Sequence, residues 1–136
     1  MHDRRLYVEN NVGKRFVRAF NQFTPNHGWT AVIQHEVHPE MQRPQTDDVW
    51  WIEEVAREGF ALVTCDLAIV TTNIEREAVR GSGARLLAFA SAQYSGWQQM
   101  RALTTHWDVI ENEFEQGGPV ILKVYAGPTK PSVERL

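Results

Sequence analysis

Strand-like and helix-like patterns alternate along the whole of this 136-residue chain, and this alternation constrains the fold more than any other feature. Short apolar runs typical of β-strands lie at 5–9, 29–34, 60–65, 85–90 and 119–125. Between them, apolar residues recur every three or four positions, as on one face of a helix, at 12–23, about 48–57, 73–80 and 96–115. Such alternation builds βαβ units. We predict one α/β domain with a mainly parallel sheet of about five strands.

Two further segments lack a strand or helix pattern. Residues 35–47 contain Pro39, Pro44 and several polar residues, so we predict a loop there. Residues 126–136 are mostly polar and follow the last apolar run, which predicts a polar C-terminal tail. The predicted domain therefore covers 1–125.

Composition and charge narrow the class of protein. The chain is 43% hydrophobic and 23% charged, as expected of a globular domain, and its net charge is −3. The apolar runs are far shorter than the roughly 20 residues that span a bilayer, and the first residues do not resemble a signal peptide. We expect a cytoplasmic protein. Its negative net charge argues against a protein that coats nucleic acid through bulk charge, but it does not exclude an enzyme that binds a few phosphates locally.

Three acids lie where predicted strands end or a predicted helix begins. Glu9 closes the run Leu6-Tyr7-Val8, Asp66 follows the run 60–65, and Asp48 opens a helix. In an open α/β sheet, functional groups gather at the carboxyl ends of the strands. Carboxylates that converge there repel one another unless a hard divalent cation neutralises them. The pattern favours a Mg²⁺ or Mn²⁺ site that cleaves phosphodiesters.

Two of these three acids, Asp48 and Glu9, also have a structural interpretation. Asp48 could cap the helix that it opens and interact with the helix dipole. An asparagine after Glu9, Asn10 or Asn11, could cap the first helix and leave Glu9 as a solvated strand end.

Histidine, cysteine and tryptophan residues suggest structural roles. His35 and His38 lack the spacing of a zinc protease helix, and we interpret them as loop residues without a metal. Cys65 is the only cysteine, so no internal disulfide or cysteine-based zinc site can form. Core packing is the favoured role of four tryptophans, Trp50, Trp51, Trp97 and Trp107, with base stacking by Trp50 or Trp51 as a minor alternative.

Two blocks of the chain resemble the PIN-like domains of the VapC toxin group. The first is 6–16, Leu-Tyr-Val-Glu-Asn-Asn-Val-Gly-Lys-Arg-Phe, an apolar strand that ends in an acid and leads into a helix with an early arginine. The second is 48–66, where Asp-Val-Trp-Trp leads through Ala-Arg-Glu-Gly into an apolar strand ending Thr-Cys-Asp. The likeness spans most of residues 6–125, and the second block is the more specific.

This resemblance implies a three-layer α/β/α sandwich and a Mg²⁺- or Mn²⁺-dependent endoribonuclease. Members of the group are typically the toxin of a toxin–antitoxin pair, often a homodimer inhibited by a small antitoxin protein. Glu9 takes the position of the first acid, Asp48 of the second and Asp66 of the third. Glu75, on the next helix, could supply a further metal-binding carboxylate, with its role as a solvated helix charge as the alternative.

The substrate contacts are predicted from the start of the first helix. Lys14 and Arg15 could position RNA phosphates, with Asn11 beside them. Arg15 has the planar fork that suits bidentate phosphate contact.

The chain departs from the pattern of the group at three positions. Glu9 stands where the first acid is usually Asp, Asn10 stands in place of a frequent Glu, and Ala68 stands where some relatives carry another acid. These departures support an alternative, a catalytically weak or inactive PIN-like protein that acts as a binding partner in a regulatory complex. A third interpretation is a small α/β enzyme whose strand-end acids bind another ligand.

Overall fold

A single six-stranded sheet forms the centre of the molecule. The computed structural model describes residues 3–23, 28–39 and 48–136, without the side chain of Asp48. The strands are β1 (Arg5–Val8), β2 (Thr30–Ile33), β3 (Ala61–Thr64), β4 (Arg85–Phe89), β5 (Val120–Val124) and β6 (Ser132–Arg135). Their order in the sheet is β2-β1-β3-β4-β5-β6. All neighbouring strands pair in parallel except β6, which is antiparallel to β5.

Helices cover both faces of this sheet and produce three layers. They are α1 (Lys14–Phe23), α2 (Gln34–Val37), α3 (Asp48–Arg57), α4 (Ala68–Thr71), α5 (Asn73–Ser82), α6 (Gly96–Thr105) and α7 (Trp107–Glu115). Successive strand residues point to opposite faces. Leu6 and Val8 therefore pack in one core with α1, α6 and α7, while Tyr7 packs in the other with α3, α4 and α5. The predicted α/β/α sandwich with a mainly parallel sheet is confirmed.

The strand order creates a topological switch point between β1 and β3. The chain leaves β1 for β2 on one side and later returns to β3 on the other side. Such a reversal opens a crevice at the carboxyl ends of the two strands, where ligands of open α/β sheets bind. Because α1, α3 and α5 each lead to the start of the next parallel strand, all three helices begin at this carboxyl edge.

The predicted long helix at 96–115 is wrong, because the structure divides it into α6 and α7 at His106. His106 is buried, with φ −114° and ψ 15°, and its Nε2 lies 3.1 Å from the carbonyl oxygen of Gly127. The apolar periodicity continues across the break, so the sequence pattern alone does not reveal it.

The segment 126–136, predicted as a polar tail, contributes the strand β6, so the sheet has six strands and not five. All four residues of β6 are exposed, and they therefore carry no apolar alternation that would signal a strand. Backbone pairing with β5 and two ion pairs, Arg76–Glu134 and Arg135–Glu113, hold β6 in place.

Smaller differences concern short helices. The predicted loop 35–47 begins within α2, and its residues 40–47 lie outside the described residues. The helix α4 was not predicted. Gly81 and Ser82 lie beyond the predicted helix 73–80 but belong to α5, and Gly83 ends that helix with φ 72°, a left-handed conformation that glycine adopts without strain.

The tryptophans divide between core and surface. Trp51 is 1% exposed and Trp107 packs against the core, as predicted, whereas Trp50 is 45% and Trp97 76% exposed. In the part of the chain that the structure describes, no helix has the length and apolar character needed to cross a bilayer.

Candidate functional site

Glu9 lies at the switch point, one residue beyond the paired part of β1. Its backbone N–H donates to the Val63 carbonyl oxygen at 2.9 Å, which continues the parallel register Val8–Val63. This register places Glu9 beside Thr64, and the Thr64 hydroxyl donates to Glu9 Oε1. Glu9 is 9% exposed and Thr64 is fully buried. The carboxylate is therefore held by a hydrogen bond at the mouth of the crevice.

Asp66 is connected to the same threonine. Its backbone N–H donates to Thr64 Oγ1 at 3.0 Å. Its own Oδ1 accepts a hydrogen bond from the backbone N–H of Ala68 at 3.0 Å, at the start of α4. One buried hydroxyl thus links the side chain of Glu9 to the backbone of Asp66, and the structure brings these two predicted acids together.

Cys65 lies between Thr64 and Asp66 in the sequence, and its thiol is affected by the charges of both acids. Burial raises the pKa of the Cys65 thiol above its usual 9.0, and the negative charges of Glu9 and Asp66 raise this pKa further. The Cys65 Sγ lies 3.4 Å from the carbonyl oxygen of Asn11, which accepts a hydrogen bond from the thiol. Within the described ranges, no side chain is hydrogen-bonded to the thiol, and both carboxylates lie near enough to Cys65 to raise the pKa of its thiol.

A polar clamp holds the turn that follows Glu9. The backbone N–H of Asn10 donates to Gln34 Oε1 at 3.1 Å, while Asn10 Oδ1 accepts from the backbone N–H of His35 at 2.9 Å. Gln34 is buried at the start of α2, directly after β2. Sequence reasoning missed both Gln34 and Thr64. Each closes or directly follows an apolar run, a position suited to such a role but also common in ordinary strands.

Asp48 and Glu75 lie at the same edge of the sheet by topology. Asp48 is the first residue of α3, and its side chain lies outside the described part. Glu75 lies in the first turn of α5, and its Oε2 is buried without a hydrogen-bond partner in the structure as described. Among the described residues, no three His, Cys, Asp or Glu side chains lie close enough together to hold a metal ion. The structure therefore joins Glu9 to Asp66 and leaves the other two acids as predictions.

The predicted substrate-binding residues lie at or just before the start of α1, on the face of the sheet opposite α3 and α5. Lys14 and Arg15 are exposed in the first turn of α1, which begins at the carboxyl edge, and neither takes part in an ion pair within the described residues. Asn11 is also exposed and precedes them. Their position is compatible with contact to a ligand at the switch point.

His38, which directly follows α2, takes part in local contacts. Tyr7 Oη lies 2.8 Å from His38 Nδ1, and His38 Nε2 lies 3.2 Å from a Glu58 carboxylate oxygen. These contacts fasten the end of α2 to the α3 layer, and they involve a buried tyrosine at the centre of β1.

The chain has a doubly wound α/β fold, and in this class of fold the carboxyl edge at the switch point, where Glu9 and Asp66 are linked, is the usual place for a ligand. The family model described as "PIN like domain" matches residues 5–91, more than half of the chain, and includes all four acids. The chain belongs to the PIN-like domain family, whose members are commonly nucleases. No curated protein and no solved structure matches the chain. The predicted PIN-like identity is confirmed.

Proposed function

We propose that this protein is a metal-dependent endoribonuclease. The observation that carries the proposal is the link through Thr64 between Glu9 and Asp66 at the switch point. Two acids held at the ligand-binding edge of a PIN-like domain are suited to phosphodiester hydrolysis. Membership of a family that commonly contains nucleases supports the same conclusion.

The donor groups fit a hard divalent cation. Carboxylate oxygens are the ligands that Mg²⁺ and Mn²⁺ prefer. Glu75 Oε2 is buried with no hydrogen-bond partner in the described structure, and a buried polar atom of this kind is costly unless a ligand or water satisfies it. In this proposal Glu9, Asp48 and Asp66 hold the ion. Glu75 does not form a group of three acids with Glu9 and Asp66 among the described residues, so it is given no direct contact with the ion.

The chain itself orients the reacting groups. When bound, a divalent ion would lower the pKa of the attacking water and neutralise charge on the phosphodiester. Thr64 fixes the orientation of Glu9, and the Ala68 N–H fixes that of Asp66. Lys14 and Arg15 position substrate phosphates in this proposal, Arg15 through its planar guanidinium fork.

The direct test is Mn²⁺-dependent cleavage of a structured RNA. Replacement of Asp66 by Asn keeps the size of the side chain and removes its charge, so we expect a loss of roughly 100-fold or more. Asp108→Asn, at an exposed acid on α7, is the matched control and should retain wild-type activity within about twofold. Equal activity of the wild type and Asp66→Asn would refute the assignment.

A second candidate is a catalytically weak PIN-like protein that acts as a binding partner in a regulatory complex. The observation that favours it is that Thr64 already occupies Glu9 Oε1 with a hydrogen bond in a buried setting. Calorimetry with Mn²⁺ separates the two candidates. Binding that is lost in Asp66→Asn supports the nuclease, whereas no binding at millimolar Mn²⁺ with an intact fold supports the binding partner.

We further propose that the cell uses this nuclease as the toxin of a toxin–antitoxin pair, as a cytoplasmic homodimer inhibited by a small antitoxin. The resemblance of 6–16 and 48–66 to VapC-type toxins supports this role. Expression of the wild type alone should arrest growth, and expression of Asp66→Asn should not. Growth at the same rate with both would contradict the toxin role.

A further inference from the structure

The cations of this acidic protein are unevenly distributed. Most arginines are paired: Arg4, Arg5, Arg57, Arg76, Arg80 and Arg135 each form an ion pair with an acid, and Arg85 donates to three backbone carbonyls. Four cations on α1 and α6 form no ion pair within the described residues: Lys14, Arg15, Arg18 and Arg101. All four are exposed.

The helices α1 and α6 form one continuous surface without acids. They pack against each other and share one core, to which Phe16 and Phe20 of α1 and Met100 and Leu103 of α6 belong. Neither Lys14–Phe23 nor Gly96–Thr105 contains an acidic residue, although the whole chain has a net charge of −3. We call the exposed side of these two helices the α1–α6 surface. Its unpaired positive charge is suited to a polyanion.

Trp97 adds an aromatic group to this surface. It is 76% exposed in the first turn of α6, and Arg101 follows it by four residues on the same exposed side of the helix. The capping box of Ser95 and Gln98 fixes the start of the helix, so the indole projects from a rigid base. The exposed indole offers a flat aromatic face to a ligand.

The α1–α6 surface lies beside the switch point. The helix α1 begins at the carboxyl edge, five residues after Glu9. The helix α6 is fastened at the same edge at both ends, by Tyr94 Oη, which accepts from the Ala126 N–H at 3.1 Å, and by His106, which contacts Gly127 just beyond β5. An extended polyanion bound at Glu9 and Asp66 could therefore continue over these two helices.

We propose that the α1–α6 surface binds a single-stranded segment of RNA, with one base stacked on Trp97 and its phosphates on Arg101, Arg18, Arg15 and Lys14. The inference rests on the proposed nuclease function and specifies how that site holds its substrate. Exposed aromatic side chains among unpaired cations are the combination by which proteins bind single strands, because every base offers a face for stacking. A duplex conceals these faces, so Trp97 favours unpaired segments.

Fluorescence anisotropy with a labelled, unstructured 12-nucleotide RNA tests this proposal. The Asp66→Asn protein serves as background, since it is expected not to cut the probe. In this background Trp97→Leu should weaken binding roughly 10-fold or more, while Trp97→Phe, which keeps an aromatic face, should weaken it only about threefold. Trp50→Leu removes the other exposed tryptophan, on the opposite layer, and should leave affinity unchanged.

The salt dependence gives an independent measure. Each cation that contacts a phosphate of a single strand contributes about −0.7 to the slope of log affinity against log salt. Arg18→Gln should therefore make this slope less steep by roughly that amount and weaken binding to any unpaired sequence equally. Replacement of Lys130, exposed in the loop after β5, is the control and should leave the slope unchanged.

Several results would overturn the proposal. One is that Trp97→Leu binds RNA with wild-type affinity, and another is that Trp97→Leu and Trp50→Leu lose the same amount of affinity. A third is that the protein binds a duplex more tightly than a single strand. A change in sedimentation of Trp97→Leu without a change in RNA affinity would identify the surface as a contact between copies of the chain. If Trp97→Leu weakens binding while Asp66→Asn cleaves like the wild type, the α1–α6 surface stands and the nuclease assignment fails. If Asp66→Asn loses cleavage while Trp97→Leu binds RNA like the wild type, the nuclease assignment stands and the proposed RNA-binding role of the α1–α6 surface is refuted.

Discussion

The hydroxyl of Thr64 and the carboxylate of Glu9 form a hydrogen bond across the boundary between β1 and β3. Both side chains are buried, and the same hydroxyl accepts from the Asp66 N–H, so the contact lies between the two acids of the site. The position of Glu9 therefore depends on a neighbouring strand as well as on its own.

Thr64→Val tests this dependence. Valine keeps the shape of threonine but leaves the Glu9 carboxylate and the Asp66 N–H without this partner. We expect a loss of about 1.5–3 kcal/mol in the free energy of unfolding, measured by urea denaturation. Thr64→Ser should recover most of the loss because it restores the hydroxyl. The control is Thr71→Val at an exposed hydroxyl on α4, and an equal effect there would contradict the interpretation.

The Cys65 thiol should be unreactive in the folded protein. It is 5% exposed, and burial together with the charges of Glu9 and Asp66 raises its pKa above 9.0, so the thiolate is scarce at neutral pH. Iodoacetamide at pH 8 should modify the folded protein more than about 10-fold more slowly than the protein in guanidinium chloride. Mass spectrometry measures both rates, and equal rates would show that the thiol is accessible.

Two glycines should respond to alanine in opposite directions. A Cβ at Gly81, within α5, meets nothing within 4 Å, so Gly81→Ala should stabilise the protein by about 0.5–1 kcal/mol through helix propensity. A Cβ at Gly118 would overlap the carbonyl oxygens of Gly83 and Ala84. Gly118→Ala should therefore destabilise by about 3 kcal/mol. Thermal denaturation of the two variants side by side measures both effects, and a common sign would refute the account.

The ion pair between Arg76 and Glu134 should give a pH-dependent stability difference. The hydrogen bond from Arg76 holds the pKa of Glu134 below its usual 4.5. Because this pKa is lowered by folding, the contribution is fully present above pH 4.5 and is lost as the pH falls through the lowered value. The Glu134 side chain is 49% exposed, so loss of the ion pair in Arg76→Gln should cost less than about 1 kcal/mol at pH 7.

Melting curves of the wild type and Arg76→Gln from pH 7 to pH 2.5 measure this difference. The gap between the two proteins should be constant down to about pH 4.5 and then close. A gap that widens on acidification would mean that another group is responsible.

The fold was predictable where a pattern of apolar residues decides it. A buried face requires apolar residues at a regular spacing along the sequence. Such a face is present in five strands and in the helices that begin near Lys14, Asp48 and Asn73. The break at His106 was not predictable because the same face stays apolar on both sides of it. The four exposed residues of β6 have no buried face, so no periodicity marks them.

The site was predictable in part for a related reason. Parallel strands bring their ends to one edge, so an acid after β1 and an acid after β3 were expected to meet, and Glu9 and Asp66 do share a threonine. The role of Thr64 was missed since a threonine within an apolar run is equally typical of any strand. The exposure of Trp97 was missed because its spacing matches that of the buried residues Met100 and Leu103.

The antiparallel strand β6 has a practical consequence for anyone who shortens this chain. A protein cut after Tyr125, where the apolar pattern ends, would lose the strand that covers β5 and uncover a row of unpaired backbone groups along 120–124. Open edges of this kind recruit strands from other molecules. Such a fragment would be prone to aggregate even though its core is intact, so affinity tags and truncations should leave Ser132–Arg135 in place.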